Sequence, residues 1–345
     1  MLSAMPFVNA NPTREDYWRS VILFGRNVAS YKFALAKALL DVADSERTFI
    51  SLEELAVPFA RHIAEHLKQA DKQATSASSR FLASVRQFNK GEVPHEVLVK
   101  KTASLGFQNV IDAFHVVNRE PIPVRFFVDE RKQRNGIVIT DELLRLKESV
   151  QFANLSPEAE GRWRLVETAW ELGLNPALLS VSYDDRSALF FVKNELRERI
   201  DVTSSRDALN GYQKGKCFYC FRDISIQRRS TNLADVDHFI PHTVLTRTDA
   251  DDNLNGIWNL VLACRECNRG ENGKAARVPG LKYLERLHKR NSFLIDSHHP
   301  LRETLMAQTG AAEAMRRAFL QQQYTNAKLL LIHEWSPAEE LEAAF

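Results

Sequence analysis

All four cysteines of this 345-residue chain occur as CxxC pairs between residues 217 and 267. They are Cys217, Cys220, Cys264 and Cys267. A CxxC turn directs two thiolates at one ion, and two such turns complete a tetrahedral Zn²⁺ site. Four buried cysteines without a metal, or a redox-active CxxC, are the alternatives, but neither explains why every cysteine is paired in this way. Because all four ligands come from the protein, the expected zinc site is closed and structural.

Polar residues with metal-binding and acid–base chemistry lie between these pairs and directly after them. They are Asp235, Asp237, His238, His242, Asn259, Asn268, Arg269 and Lys274. Alternation of apolar residues predicts a short strand that ends near Pro241, and a second strand over residues 260–263 leads into Cys264. A helical turn follows the second CxxC pair. Neighbouring side chains of a strand point to opposite faces, so Asp237 and His238 converge on one ion only at a distorted strand end.

Together these motifs resemble the HNH endonuclease superfamily in its Cys₄ zinc-knuckle form, which has the ββα-metal fold. The residues that carry the resemblance span 217–274 and occur in the order of the family. The pattern Asp-Val-Asp-His…Asn-Arg-Gly also resembles the HNH nuclease domain of RNA-guided CRISPR effectors. The flanking helical regions look similar to large stand-alone bacterial HNH proteins, which are suspected of phage defence.

The resemblance implies a role for each site residue. His238 is the expected general base, and Asp237 with Asn268 is the expected ligand pair for a catalytic Mg²⁺ or Mn²⁺. Asn268 stands where the family usually has histidine, which makes this an HNN variant. Asn259 is assigned to the catalytic set because the resemblance implies that it holds, by hydrogen bonds to the backbone, the loop that positions His238. The residues expected at DNA phosphates are His242, Arg269 and Lys274.

Simpler local roles compete with these assignments. A His in an Asp-His pair at a strand end can be a hydrogen-bonded structural residue. Asp237 can cap a turn, and Asn268 can cap the helix that it precedes. Asn259 is a loop residue in either interpretation.

The implied function is a metal-dependent DNA endonuclease that hydrolyses phosphodiester bonds and nicks DNA in bacterial anti-phage defence. Double-strand breaks would require a homo-oligomer or repeated events. Two alternatives stay open. One is a nuclease subunit of a larger CRISPR-type surveillance complex, and the other is a catalytically silent, zinc-containing DNA-binding module.

The helices and strands that must position these residues can also be read from the sequence. Their order predicts an α+β fold in three parts. A mainly helical regulatory or recognition domain covers 1–203, the nuclease domain covers 204–290, and a helical extension covers 291–345. Capping boxes at Ser51/Glu54 and Ser336/Glu339 predict helix starts, and Pro58 predicts a kink or an early break. Asn135-Gly136 between two apolar runs predicts a β-hairpin.

Composition and charge indicate where the protein is expected to be located, but they do not identify a binding partner. The formal net charge is +2, but residues 206–300 carry +4 and the remainder carries −2. This asymmetry permits nucleic-acid binding without requiring it. The N-terminus lacks the features of a signal peptide, and no stretch is apolar enough to span a membrane. We therefore expect a cytoplasmic protein with reduced cysteines.

Overall fold

The computed structural model describes residues 12–24, 29–43, 47–74, 79–117, 120–173, 175–176, 179–193, 199–241, 252–297 and 299–345. They form a mixed α+β structure with many helices and several small sheets, which confirms the predicted fold class. The chain divides into two compact units, residues 10–174 and residues 175–345. Among the described residues, no helix is both long and apolar enough to cross a membrane.

The N-terminal unit is mainly helical. Its elements are α1 (Arg14–Phe24), α2 (Tyr31–Val42), β1 (Phe49–Ser51), α3 (Leu52–Leu67), α4 (Arg80–Asn89), α5 (His95–Leu105), α6 (Val110–Phe114), β2 (Val116–Val117), β3 (Glu120–Pro121), β4 (Phe127–Asp129), α7 (Arg131–Arg134), β5 (Gly136–Ile139), α8 (Asp141–Lys147) and α9 (Phe152–Glu171). Aromatic residues on α2, α3 and α9 fill its core, among them Phe33, Phe59 and Trp163, which are fully buried.

Local sequence signals in this unit agree with the structure except at Pro58. The Ser51 hydroxyl accepts the Glu54 N–H at 3.2 Å, and the Glu54 carboxylate accepts the Ser51 N–H at 2.9 Å, so the predicted capping box is confirmed. Helix α3 continues through Pro58 to Leu67, so the early break is wrong. The lost backbone hydrogen bond is offset because the apolar face of α3 is buried in the core.

The hairpin at Asn135-Gly136 is also confirmed. Strands β4 and β5 pair antiparallel, and β1 adds to the other side of β5, giving the sheet order β1-β5-β4. Asn135 has a φ of 53°, a left-handed conformation that asparagine tolerates better than most residues. At Gly136 a side chain would collide with the Ile50 carbonyl, because a Cβ there would lie 2.5 Å from that oxygen.

A buried ion pair joins the first and last helices of the N-terminal unit. Arg19 on α1 donates two hydrogen bonds of 2.8 Å to the Glu158 carboxylate on α9, and both side chains are at most 5% exposed. The two parallel hydrogen bonds give this contact the bidentate geometry that makes arginine–carboxylate pairs strong. The pair therefore fixes α1 on α9.

The described residues of the C-terminal unit form three small sheets together with several helices. Its elements are β6 (Ser182–Asp184), β7 (Leu189–Lys193), β8 (Arg199–Ser204), α10 (Ser205–Gln213), β9 (Asp235–His238), two 3₁₀ turns (Asp252–Asn255 and Ile257–Asn259), β10 (Leu260–Ala263), α11 (Arg265–Arg269), β11 (Val278–Pro279), α12 (Leu281–Asp296), α13 (Arg302–Thr309), α14 (Glu313–Leu330) and β12 (Glu334–Trp335).

The predicted domain boundaries do not coincide with the division between the two units. The sheet β6-β7-β8 belongs to the C-terminal unit, because β8 leads directly into α10 and the Ser205 N–H donates to Ala188 at 3.1 Å. The boundary at 290/291 falls inside α12, which is continuous to Asp296. The segment 204–290 is therefore embedded in a larger unit.

The last fifteen residues cross the first CxxC turn without forming a helix. The predicted helix at Ser336/Glu339 is wrong, and the chain is extended or irregular after Leu330. Strand β12 pairs in parallel with β11, and the Leu341 N–H donates to the Cys220 carbonyl at 3.0 Å. Glu339 pairs with Arg222 at 3.0 Å instead of closing a capping box. Long-range contacts thus outweigh the local helix signal.

Replacing Glu158 by alanine tests the buried ion pair. We expect Glu158→Ala to lower the free energy of unfolding by about 3 kcal/mol, because the Arg19 guanidinium stays buried without its counter-charge. Glu142→Ala is the matched control, since the Arg14–Glu142 pair is about one-third exposed and should contribute less than about 1 kcal/mol. Urea unfolding followed by circular dichroism measures both, and equal losses would contradict the prediction.

Candidate functional site

The first CxxC pair lies in a tight turn that follows α10. The Cys217 N–H donates to the Arg222 carbonyl at 2.8 Å, and the Phe221 N–H donates to the Cys217 carbonyl at 3.1 Å. Phe221 closes the turn with a φ of 59°. The Phe218 N–H donates to the Leu262 carbonyl at 2.9 Å, which fastens the turn to β10.

The second CxxC pair spans the start of the short helix α11. Cys264 precedes the helix, and its carbonyl accepts the Asn268 N–H at 3.0 Å. Two glycines then let the chain fold back over Glu266, because a Cβ at Gly270 or Gly273 would lie within 2.8 Å of the Glu266 carbonyl oxygen. The returning chain places the Lys274 N–H 2.6 Å from the carbonyl of Cys267.

The two turns bring all four thiols together in a buried cluster, called the four-cysteine group below. Their Sγ atoms all lie within 4.8 Å of one another, and none of them forms a disulfide. The Cys220 and Cys264 sulfurs are 3.7 Å apart, close to the spacing of about 3.8 Å for two thiolates 2.3 Å from a tetrahedral zinc ion. The group can therefore hold a metal ion such as zinc. Among the described residues, no other set of three or more His, Cys, Asp or Glu side chains is as close.

Hydrogen bonds within the four-cysteine group separate the acidities of the thiols. Burial raises the pKa of Cys217, and hydrogen bonds from the neighbouring thiols lower the pKa of Cys264 to about 6 and that of Cys220 further. Thiolate is the form that binds zinc. Hydrogen bonds from the other thiols raise the pKa of Cys267, so the four sulfurs share protons that a bound zinc ion would displace.

Asp237 contacts one group inside the first CxxC turn and one group after the second CxxC pair. The Tyr219 hydroxyl donates to its Oδ2 at 2.6 Å, and the Lys274 Nζ lies 3.2 Å from its Oδ1. Burial raises the pKa of the Asp237 carboxyl, against the opposing effects of the Lys274 charge and the Tyr219 hydrogen bond. Burial also raises the pKa of the Tyr219 phenol well above its ordinary value, so this hydroxyl stays protonated and acts as a donor.

Asn268 contacts Asp235 and not the predicted Asp237. Its Nδ2 donates to Asp235 Oδ2 at 3.1 Å, and the Arg269 guanidinium lies 3.0 Å from the same oxygen. Asp235 and Asp237 share one face of β9, because they are two residues apart on a strand. In this arrangement the Asn268 amide is hydrogen-bonded to Asp235, and the two oxygens of Asp237 contact Tyr219 and Lys274.

His238 is the last residue of β9, paired with Leu260 of β10. Its side chain is buried, and its ring lies 6.0 Å from the ring of Tyr183 on β6. The strand is regular through His238, so alternation directs this ring to the face opposite Asp237. The two neighbours accordingly have different surroundings.

Asn259 fastens the loop that follows His238. Its Oδ1 accepts the Ile240 N–H at 2.8 Å, and its Nδ2 donates to the carbonyls of Ile240 and Leu254 at 3.0 and 2.9 Å. Its own carbonyl accepts the Phe239 N–H at 2.7 Å, and the side chain is fully buried. The sequence predicted backbone hydrogen bonds of this kind, and the link to catalysis stays a prediction.

Side chains of α12 form hydrogen bonds with the 3₁₀ turn that contains Asn259. Arg290 donates to the carbonyls of Ile257 and Trp258 at 3.3 and 3.0 Å, and Asn291 donates to the Trp258 carbonyl at 3.2 Å. Arg290 is buried, and burial lowers its pKa to about 10. The side chains of Arg290 and Asn291 thus connect α12 to the turn of Asn259, and the Asn259 side chain connects that turn to the loop after His238.

The residues predicted to contact DNA differ in accessibility. The Arg269 side chain is 65% exposed, whereas Lys274 is 1% exposed and held by Asp237, so Lys274 is not available to an outside phosphate in this arrangement. His242 lies outside the described residues. Sequence reasoning did not identify Tyr219 or Tyr183 as neighbours of the site. The position of Tyr219 inside a CxxC turn was the one available signal.

Comparison of the chain with protein-family models, with curated proteins and with solved structures found no match. The assignment of the site therefore depends on its own residues and geometry.

Metal analysis tests the four-cysteine group. We expect the purified protein to contain about one zinc per chain and Cys264→Ser to lose most of it, because three thiolates leave the tetrahedral site incomplete. Asn268→Ala, which changes a neighbouring side chain outside the group, should retain zinc. Elemental analysis measures the content, and a wild-type protein without any metal would contradict the prediction.

Stability measurements test the hydrogen bonds of Asn259. We expect Asn259→Ala to lower the free energy of unfolding by at least about 2 kcal/mol, because buried backbone groups lose their partners. Asn272→Ala is the matched control, since Asn272 is exposed. Thermal and urea unfolding report the difference, and a loss no larger than that of Asn272→Ala would refute this role.

Proposed function

We propose that this chain is a metal-dependent DNA endonuclease of the HNH type, with a structural zinc ion in the four-cysteine group. The proposal depends on one observation. Asn259 forms hydrogen bonds with the backbone of residues 239 and 240, which directly follow His238. A silent zinc module has no need to fix this loop so tightly, whereas a general base must be held in position. The antiparallel pair β9–β10 followed by α11 supports the same proposal.

His238 would act as the general base. An imidazole titrates near neutral pH and can take a proton from water as the water attacks a phosphodiester. The backbone of His238 is fixed by its pairing with Leu260, and the Lys274 ammonium donates to the His238 carbonyl at 2.9 Å. Attack by water would leave a 5′ phosphate and a 3′ hydroxyl, and a single such centre would nick one strand.

A divalent cation would be held on the face of β9 that carries Asp235, Asp237 and Asn268. The end of β9 would have to turn the His238 ring toward this face for the base and the ion to act on one phosphodiester, because alternation along the regular strand directs the ring to the opposite face. Carboxylate and amide oxygens suit Mg²⁺ or Mn²⁺ rather than softer metals, and the Asn268 amide is hydrogen-bonded to the Asp235 carboxylate. When bound, the ion would stabilise negative charge on the phosphate and the leaving oxygen. Asp237 can contribute only if Lys274 leaves its carboxylate.

DNA is the proposed substrate because positive charge concentrates around the site. Residues 206–300 carry a net +4, and Arg269 is exposed beside the acidic face. A cytoplasmic location belongs to the proposal, since thiolate ligands require reduced cysteines. A role in bacterial anti-phage defence is supported by the resemblance of the flanking regions to stand-alone HNH proteins. A nuclease subunit of a larger complex uses the same chemistry and borrows its DNA affinity from partners.

The second candidate is a catalytically silent zinc module that binds DNA. The internal ion pair of Asp237 with Lys274 favours it, because both oxygens of the carboxylate are occupied by protein groups. The two candidates differ in whether His238 matters for a reaction.

A plasmid assay distinguishes them. We expect the wild type to nick supercoiled DNA with Mg²⁺ or Mn²⁺, and His238→Ala to lower the rate by about 100-fold or more, since general-base catalysis contributes that much. His333→Ala is the matched control, because His333 is exposed and lies outside the site. EDTA should abolish nicking. DNA binding without nicking under any divalent metal would favour the silent module.

A further inference from the structure

The Lys274 ammonium is surrounded by oxygen atoms in the manner of a bound cation. Its Nζ lies 3.2 Å from Asp237 Oδ1, 2.9 Å from the His238 carbonyl and 3.4 Å from the Ala275 carbonyl. The second oxygen of Asp237 accepts the Tyr219 hydroxyl. The protein itself therefore satisfies a carboxylate that the site would otherwise offer to an ion.

Both partners of this ion pair are almost completely removed from solvent. The side chains of Lys274 and Asp237 are 1% and 7% exposed. A buried ionised carboxylate without a positive partner is strongly unfavourable, so Asp237 in its charged form needs a cation beside it. Lys274 fills that requirement without any metal.

The backbone at Lys274 is tightly constrained. The turn through Gly270 and Gly273 leads back to Cys267, and the next residue, Ala275, has a φ of 45°. This left-handed conformation is unfavourable for a residue with a Cβ, and such strain is kept only where the surroundings enforce it.

We propose that the Lys274 ammonium is an internal substitute for a divalent cation, so that Asp237 binds such an ion only after Lys274 has withdrawn. Because Lys274 contacts Asp237 Oδ1, its ammonium competes with a metal ion for that oxygen. This inference rests on the proposed function in taking Asp237 as a cation ligand. Its test measures cation binding and not cleavage, so a failure of either proposal can be distinguished from a failure of the other.

A purely structural ion pair predicts a different response to loss of the lysine. If Lys274 serves stability alone, removing it destabilises the protein and no metal restores the loss. If it substitutes for a cation, Lys274→Met leaves an uncompensated carboxylate that recruits a divalent ion. The double variant Lys274→Met/Asp237→Asn removes both charges and should show no such recruitment.

The experiment titrates Mn²⁺ into the zinc-loaded full chain and follows free Mn²⁺ by electron paramagnetic resonance and unfolding by thermal scans. We expect Lys274→Met to bind Mn²⁺ at least about tenfold more tightly than the wild type, and to gain thermal stability from it, because the ion replaces a missing counter-charge. The double variant should bind Mn²⁺ no more tightly than the wild type and gain no more thermal stability from it than the wild type does. Lys289→Met is the matched control, since Lys289 is 55% exposed and pairs only weakly with Glu285 at 3.9 Å.

Each outcome decides the proposal. Lys274→Met that folds only with Mn²⁺ present, or that folds alone and binds Mn²⁺ more tightly, supports it. Lys274→Met that stays unfolded in Mn²⁺, or that folds and binds Mn²⁺ no better than the wild type, overturns it. Equal gains in Lys274→Met and in the double variant overturn it as well, because the ion would then bind away from Asp237.

Discussion

The convergence of four thiols is the interaction on which the C-terminal unit depends. Strands β9 and β10 are four residues each and α11 is five, so these elements bury too little apolar surface to be stable alone. The two CxxC turns close the ends of this small unit, and a bound metal would contribute folding free energy directly. Aromatic residues around the turns, including Tyr219, Tyr283 and Trp335, add an apolar shell.

The same turns also determine the surroundings of the acidic face. Tyr219 lies between the two cysteines of the first turn, and Lys274 follows the fold-back from the second, so both turns contact Asp237. The four-cysteine group and this carboxylate are therefore connected through two short contacts. On the other side, Asn259 and Arg290 fasten the loop after His238 to α12. The site is thus held from two directions by groups outside its own strand.

Local signals were reliable where a short segment contains all the interacting groups. The capping box at Ser51/Glu54 and the turn at Asn135-Gly136 each close hydrogen bonds or a backbone angle within a few residues, and both are present. The same capping pattern failed at Ser336/Glu339. There, Glu339 pairs with Arg222, and the chain instead lies across the first CxxC turn. Strong distant partners overrode a weak local preference.

The type and spacing of residues alone predicted the four-cysteine group and the strand–strand–helix order, because ligand spacing and alternation are local properties. The backbone role of Asn259 was implied by the family resemblance. The pairing of Asp235 with Asn268, the burial of Lys274 on Asp237 and the place of Tyr183 beside His238 came only from the folded chain. These contacts join residues far apart in sequence or depend on which of two nearby carboxylates a returning chain meets. The pattern of residues along the chain does not determine these contacts, because they depend on how distant segments pack together in three dimensions.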